Sequence, residues 1–533
     1  MIKNFFKKLS KNSEKGQAII LIAFAFVGLV AMTGLVTDTG LLLIEYGKLK
    51  RSVDAAAIAA AQQYRTESGS DELNKQALEN AAIAYLNLNQ VQNVSNIVVH
   101  SCEDEGADRP ALCNPDPINN PNENRKLVEV TASADVQFGF LRVLGFESVT
   151  LTTTSIGEAV TLDLVLVIDT SAQMSFETGV ESNCNATDNT NTCLRPDSDD
   201  DPSICNVADN CQPMRKVKDV ALDFIEKALY FPYDRVAIVT MTSQTPGGSR
   251  NPMQVLPLTS DKTTVINAIN NINVFEPRIC DGSGTEEGAC IKYVSGVYDG
   301  TICEIYELNV NDPNVDPSSC PSSNIGGVLN WASYALQGSG NTNDMRLDSF
   351  WVVVGLFGGP ANATDPDPEP VDYPNGFCPM NTWLLAYGQG PWCRDKYPST
   401  RHEPDDTTSY TNPMNGVTQT ISIYDADDYA RDMADALANL LSGNGVTIYT
   451  IGLGTPIKNP PRDSNGTIIS GEPPPAEDLL EYIAECAGEG VYDCSSLTEF
   501  EIRHGQYFYA ADSAALSKIF DNIAKNIATK ISQ

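Results

Sequence analysis

Hydrophobic and polar positions fall into two regimes along this chain. In the first, residues 17–36 (QAIILIAFAFVGLVAMTGLV) carry no charge. A helix rises ~1.5 Å per residue, so roughly 20 such residues span a ~30 Å hydrocarbon layer. Lys3, Lys7, Lys8, Lys11 and Lys15 precede the run, opposed only by Glu14. That bias predicts a cytoplasmic N-terminus and an external remainder. No Ala-x-Ala-like cleavage site follows, so the expectation is a retained anchor rather than a removed leader. Thr37-Asp38-Thr39-Gly40 is the first polar break, and LLLIEYGKLKRSVDAAAIAAAQQYR then resumes with good helix formers. One helix is expected to run from the membrane to about Arg65, ended by Ser68-Gly69-Ser70. A second helix is expected over 71–89, with Leu73, Ala77, Ala81, Ala84 and Leu88 near one face. Strand-like runs follow at 96–100, 127–135 and 149–154. The expected organisation is a basic cytoplasmic segment (1–16), a transmembrane helix (17–36) and a small α+β domain at the end of an extended helix (37–160).

From Leu162 the pattern changes. LDLVLVID is nearly continuous in apolar residues, as in a strand buried on both faces of a parallel sheet. An amphipathic helix at 214–229 and a strand at 235–241 come next. Helices are expected at 262–272, 326–336, 427–441 and 514–531, with buried strands at 350–357 and 446–453 and a short edge-like run at 507–509. Alternating strands and helices predict an open α/β sheet over 161–533, with long insertions carried on loops.

Composition narrows the function. A formal net charge of -34 argues against nucleic-acid binding, which needs a basic footprint. All 14 cysteines follow the apolar run and fall into close neighbours: Cys102 with Cys113, Cys184 with Cys193, Cys205 with Cys211, Cys280 with Cys290, Cys303 with Cys320, Cys378 with Cys393, and Cys486 with Cys494. An even count on the external side suits disulfides stapling long loops, with sequential pairing the simplest of many connectivities. Zinc is disfavoured, because there is no CxxC and His100, His402 and His504 do not cluster with the cysteines. Three separated histidines, no GxSxG and no P-loop leave no catalytic constellation, so no enzyme is expected. The acidic run Asp197-Ser198-Asp199-Asp200-Asp201 lacks the glycine and distal glutamate of an EF-hand and is expected to be a solvated loop. Asp425-Ala426-Asp427-Asp428 is expected to cap a helix. Trp383, Trp392, Tyr373, Tyr387 and Tyr397 are expected to form a mini-core around Cys378 and Cys393.

Asp169-Thr170-Ser171-Ala172-Gln173 follows the first buried strand, where open α/β sheets place ligands. It resembles the opening of a von Willebrand factor type A domain, whose metal-ion-dependent adhesion site begins Asp-x-Ser-x-Ser. Ser323-Asn324-Ile325-Gly326-Gly327 resembles that family's Thr-Asn-Ile-Gly loop, and Val354-Gly355-Leu356-Phe357-Gly358-Gly359 its segment ending Thr-Asp-Gly. The resemblance implies Asp169, Ser171 and Ser323 as ligands of Mg²⁺ or Ca²⁺, both of which take hard oxygens. Gln173 stands in place of the second serine and Gly358 in place of the aspartate, so metal binding is expected to be weak or absent.

The N-terminal part carries a second resemblance. An uncharged run after Lys-Gly-Gln, then Asp38-x-Gly40, then Ser52-Val53-Asp54-Ala55-Ala56-Ala57-Ile58-Ala59-Ala60-Ala61, looks like the start of TadG-like proteins of the Tad (Flp pilus) assembly system. It implies a membrane-anchored surface protein working with pilus-assembly or other surface proteins, presenting its A-like domain outward. Asp38 is read as a membrane-boundary residue and Asp54 as a solvated or paired helix residue. Lys15-Gly16-Gln17 resembles a prepilin cleavage site, but Leu21 occupies the position of the usual glutamate and no cleavage is expected. The alternatives are a stand-alone metal-dependent adhesin and a minor pilin.

Overall fold

The computed structural model describes residues 2–65, 71–89, 94–113, 125–175, 177–178, 200–245, 251–276, 278–279, 290–294, 297–302, 323–361, 363–365, 401–411, 418–422, 424–440, 445–460, 468, 470–491, 494, 505–512 and 514–532. They divide into two units between Ala159 and Val160.

In the first unit α1 (Ile2–Gln62) runs unbroken through the polar residues at 37–40. The Thr37 hydroxyl is satisfied within the helix, donating to the Thr33 carbonyl (2.9 Å). Large apolar side chains from Ile19 to Ile44 stand exposed around it, and the helix is long and apolar enough to cross a membrane. Apart from Gly34 and Asp38, which are buried, its burial begins at Leu49 and continues through Val53, Ala56, Ala57, Ala60 and Tyr64. This end of α1 packs on α2 (Asp71–Leu88) and on an antiparallel sheet of β1 (Val94–Ser101), β2 (Lys126–Gln137) and β3 (Ser148–Ala159), in the order β1-β2-β3. The alanine run has a steric reason. A Cβ added at Gly157 in β3 would lie 2.2 Å from the Ala57 carbonyl oxygen, so helix and strand touch backbone to backbone. Tyr64 closes the packing by donating to the Leu127 carbonyl (3.1 Å), and the Cys102–Cys113 disulfide closes the loop after β1.

The second unit is built on β4 (Leu162–Ile168), all seven residues of which are buried. Around it lie β5 (Arg235–Thr240), β6 (Met253–Thr259), β10 (Phe350–Phe357), β13 (Thr447–Leu453) and β14 (Gln506–Ala510), in the order β14-β13-β10-β4-β5-β6. Every pairing is parallel except β5 with β6. Side chains alternate between two cores. Leu164, Leu166, Ile238, Val354 and Ile451 meet α4 (Met214–Ala228), α5 (Lys262–Asn270) and α9 (Leu516–Ser532). Val165, Val167, Val239, Val353 and Ile448 meet α6 (Ile325–Leu336), α7 (Ala426–Ala438) and α8 (Pro475–Glu481). This is the doubly wound, mostly parallel von Willebrand A-like sheet.

Additions to the sequence reading are peripheral. Edge strand β6 has only Leu256 fully buried and carries an exposed Pro257, which an edge tolerates. The small strands β7 (Arg278–Ile279), β8 (Cys290–Val294) and β9 (Val297–Ile302) form one sheet, and β11 (Thr407–Thr411) and β12 (Thr418–Ser422) another.

Of the seven expected disulfides, Cys205–Cys211 and Cys486–Cys494 are bridged in this unit, as Cys102–Cys113 is in the first. The other four pairings fall on cysteines outside the described residues. Cys184 and Cys193 are both outside them, as are Cys303 and Cys320, and Cys378 and Cys393. Cys280 is outside them too, although its expected partner Cys290 opens β8. The aromatic cluster around Cys378 and the residue His504 also lie outside the described residues. The solvated-loop expectation for the acidic run is wrong at its described end. Asp200 is buried and accepts the Thr178 amide (3.1 Å), and Asp201 caps α3 (Pro202–Ala208) through the Ser203 amide (2.9 Å). Those carboxylates satisfy local amides instead of facing water.

Candidate functional site

The carboxyl end of β4 is where the sequence placed a site. The Asp169 amide extends the pairing with β10 by donating to the Leu356 carbonyl (3.0 Å). Its side chain is fully buried, Oδ1 accepting the Ser171 amide (2.8 Å) and Oδ2 the Gly358 amide (2.8 Å). The structure therefore joins Asp169, Ser171 and Gly358 directly. Gly358 offers a donor where the resembling family has a carboxylate acceptor. Thr170 is held by its carbonyl to the Phe275 amide (2.8 Å) and by its hydroxyl to that of Thr242 (2.7 Å). Ser171 Oγ is buried with no hydrogen-bond partner among the described residues. Gln173 lies in the short 3-10 turn Ala172–Ser175.

Ser323 is buried, one residue ahead of the cap of α6. Asn324 caps that helix, its Oδ1 accepting the Gly327 amide (2.7 Å) and its Nδ2 donating to Asp365 Oδ1 (2.9 Å). The Tyr429 hydroxyl donates to Asp365 Oδ2 (2.8 Å). Burial and then the Asp365 charge push the Tyr429 hydroxyl well above its usual pKa, so it stays a donor. The Gly326-Gly327 pair follows from this crowding. A Cβ at Gly326 would lie 2.4 Å from the Tyr429 ring, and one at Gly327 2.5 Å from Asp365 Oδ1. Asp365 escaped sequence reasoning, since its setting (Thr364-Asp365-Pro366-Asp367) reads as an acidic loop.

The donor chemistry fits a cation poorly. The orphaned Ser171 hydroxyl suits a ligand oxygen, and Mg²⁺ and Ca²⁺ accept hydroxyls and carboxylates. Yet Asp169 already serves two amides, and Asp365 is committed to Asn324 and Tyr429. Among the described residues no three acidic, histidine or cysteine side chains converge on one point. His100 stands beside Asp104 in the first unit and His402 beside Asp428 in the second.

Residues 16–63 match the Tad family model, described as "Putative Flp pilus-assembly TadE/G-like". This segment is TadE/G-like. The Tad segment takes in the apolar run, Asp38, Asp54 and the alanines that meet β3. No curated protein matches the chain. Among solved structures, the pilus adhesin SpaC from Lactobacillus rhamnosus GG is similar at 12% identity and a TM-score of 0.32, over 83% of this chain and 35% of that one. The PilB minor pilin from Streptococcus sanguinis is similar at 13% identity and a TM-score of 0.33, over 82% and 79%. The vWF domain of the type V pili tip protein Mfa5 from Porphyromonas gingivalis is similar at 13% identity and a TM-score of 0.32, over 70% and 97%. The chain spans about a third of the length of SpaC. At these scores the A-like fold rests on the sheet itself rather than on the likenesses.

Proposed function

We propose that this is a membrane-anchored, extracytoplasmic, non-enzymatic protein of Flp/Tad-type pilus assembly, presenting its A-like unit on the outer side. The observation that carries the reading is the Tad match at residues 16–63, which covers the whole uncharged run of α1 and its packed alanine end. The lysine-flanked run supplies the anchor and its orientation. The A-like unit, with its loops at the carboxyl ends of the strands, supplies a surface for a pilus or surface-protein partner. Deleting the gene in its own cell should remove Flp pilin from the sheared surface fraction, and the full chain should restore it. Intact pili in the deletion strain would refute the assembly role and favour a stand-alone adhesin.

The unpartnered Ser171 hydroxyl favours a second reading, a weak Mg²⁺ or Ca²⁺ site made by Asp169, Ser171 and Ser323. Such an ion would lend a partner's carboxylate a hard electrophilic contact, while the chain's own oxygens would only hold it. Calorimetric titration of the full chain in nanodiscs is expected to give no binding, or binding weaker than micromolar. A micromolar constant would refute the poor fit. Asp169→Ala should abolish any binding, and Gly358→Asp combined with Gln173→Ser should strengthen it by returning two oxygen ligands.

A further inference from the structure

The β2–β3 hairpin pairs without interruption from Lys126↔Ala159 to Gln137↔Ser148, then turns through residues 138–147. Turns facing water favour Gly, Asn, Asp, Ser and Pro, but this one reads FGFLRVLGFE. Its backbone closes on itself. The Phe138 amide donates to the Glu147 carbonyl (3.0 Å), and Gly145 (φ +95°) ends the 3-10 turn Leu141–Leu144. That geometry needs no large side chains, yet Val143 is 87% exposed, Phe146 61% and Phe140 48%. Arg142, also exposed, sits among them.

The tip is fastened to α1 where the uncharged run ends. Asp38 accepts the amides of Gly139 (2.9 Å), Phe140 (3.0 Å) and Leu141 (2.6 Å). One turn back, a Cβ at Gly34 would lie 2.7 Å from Phe140 Cβ. The exposed apolar surface of α1 at Val30, Met32, Leu35 and Val36 therefore adjoins the apolar tip. The carboxylate between them is covered by amides, which spares it from meeting hydrocarbon bare.

We propose that the hairpin tip is a second membrane contact, with Val143 and Phe146 entering the interfacial layer of the outer leaflet beside the exit of α1. Arg142 then reaches the lipid phosphates, as basic side chains at an interface do. Continuity with the apolar helix selects lipid over a protein partner. The contact also gives Asp38 a purpose, since it holds the tip at the depth where the anchor surfaces. The proposal rests on α1 being a membrane anchor.

Full chain reconstituted with lipids brominated on their acyl chains tests it. Trp331, Trp351, Trp383 and Trp392 all lie in the second unit, so the unchanged chain supplies the background. V143W and F146W each sit at an exposed position and should leave the fold intact. Each added emission should be blue-shifted and mostly lost to the bromines. F26W in the anchor should be quenched likewise. L112W should not be, because Leu112 lies at the other end of the hairpin, beside Cys113 and its bridge to Cys102, whose amide bonds the Leu127 carbonyl. Quenching of F26W without quenching of V143W and F146W overturns the proposal, and a blue shift without quenching would place a protein on the tip instead. If F26W is also unquenched, the anchor reading falls with it.

Discussion

Single residues carry the two unexpected commitments of this chain. Asp38 looked like a polar residue at a membrane boundary, and its partners lie about a hundred positions downstream, so no local pattern could announce them. Asp38→Ala should leave three amides without their acceptor, and Asn should restore part of the effect. Hydrogen exchange on the full chain in nanodiscs should show faster exchange at Gly139, Phe140 and Leu141 in the alanine variant; unchanged exchange would refute the tether. In the second unit, Asp163 is completely buried and forms a forked pair with Arg235, its Oδ1 accepting Arg235 Nε (2.8 Å), while Arg346 Nη1 stands 4.0 Å away. Removing one partner of such a pair strands the other charge, so Asp163→Ala should cost about 3–5 kcal/mol, read from denaturant midpoints of the unit's unfolding. Asp163 sits in an apolar strand pattern, and its aspartate is the one residue there that hinted at a buried partner.

Elements were the most legible scale, because burial on both faces writes itself into LVLVI and VVVGL as unbroken apolar runs and into TIYTIGL as one broken only by threonines. The edge strand β6 and the short helices α3 and α8 were not seen, since half-buried pieces have no such signature. Helix α7 was anticipated as a capped helix, and Asp425 and Asp428 do form a reciprocal capping box. What the sequence hid was its electrostatics. Burial, and then the neighbouring Asp425 charge, push the Asp428 carboxyl up to about 9. The unfolded chain releases that proton near pH ~4. Between those values the folded state holds the extra proton, so the stability linked to Asp428 is complete below pH ~4 and drains as pH rises towards 9. Asp428 also accepts the His402 amide (2.8 Å) and the Asp425 amide (3.0 Å). Asp428→Asn should therefore lose one of these bonds, at about 1 kcal/mol, and flatten the fall in stability between about pH 5 and 9. An unchanged slope would mean that Asp428 is ionised in the folded chain. In the first unit, Gly157→Ala should push β3 off α1 and lower stability by about 1–3 kcal/mol or more, because the atoms it meets belong to backbone.

At the scale of the whole molecule, function is written in where charge sits. The chain is strongly acidic, yet the residues before the apolar run are lysine-rich, and orientation is set by such positive charges near the membrane rather than by net charge. The candidate site was only partly legible for a related reason. Asp169 and Ser171 are contiguous in sequence and could be read, whereas Asp365 reaches the start of α6 through a folded loop. An alkaline phosphatase fused after Gln533 should therefore be active, and a fusion that works only in the cytoplasm should not be. The oxidising side would also bridge the cysteines, three pairs of which are closed in the described structure. Thiol labelling of the denatured, unreduced chain should accordingly find few reactive groups among the 14 cysteines. Replacing Lys3, Lys7, Lys8, Lys11 and Lys15 by glutamine removes the bias while leaving the apolar run intact. That variant should lose phosphatase activity and gain free thiols together, because both follow from which side the acidic bulk reaches. Activity lost without any gain in thiols would separate orientation from oxidation and sink the shared cause.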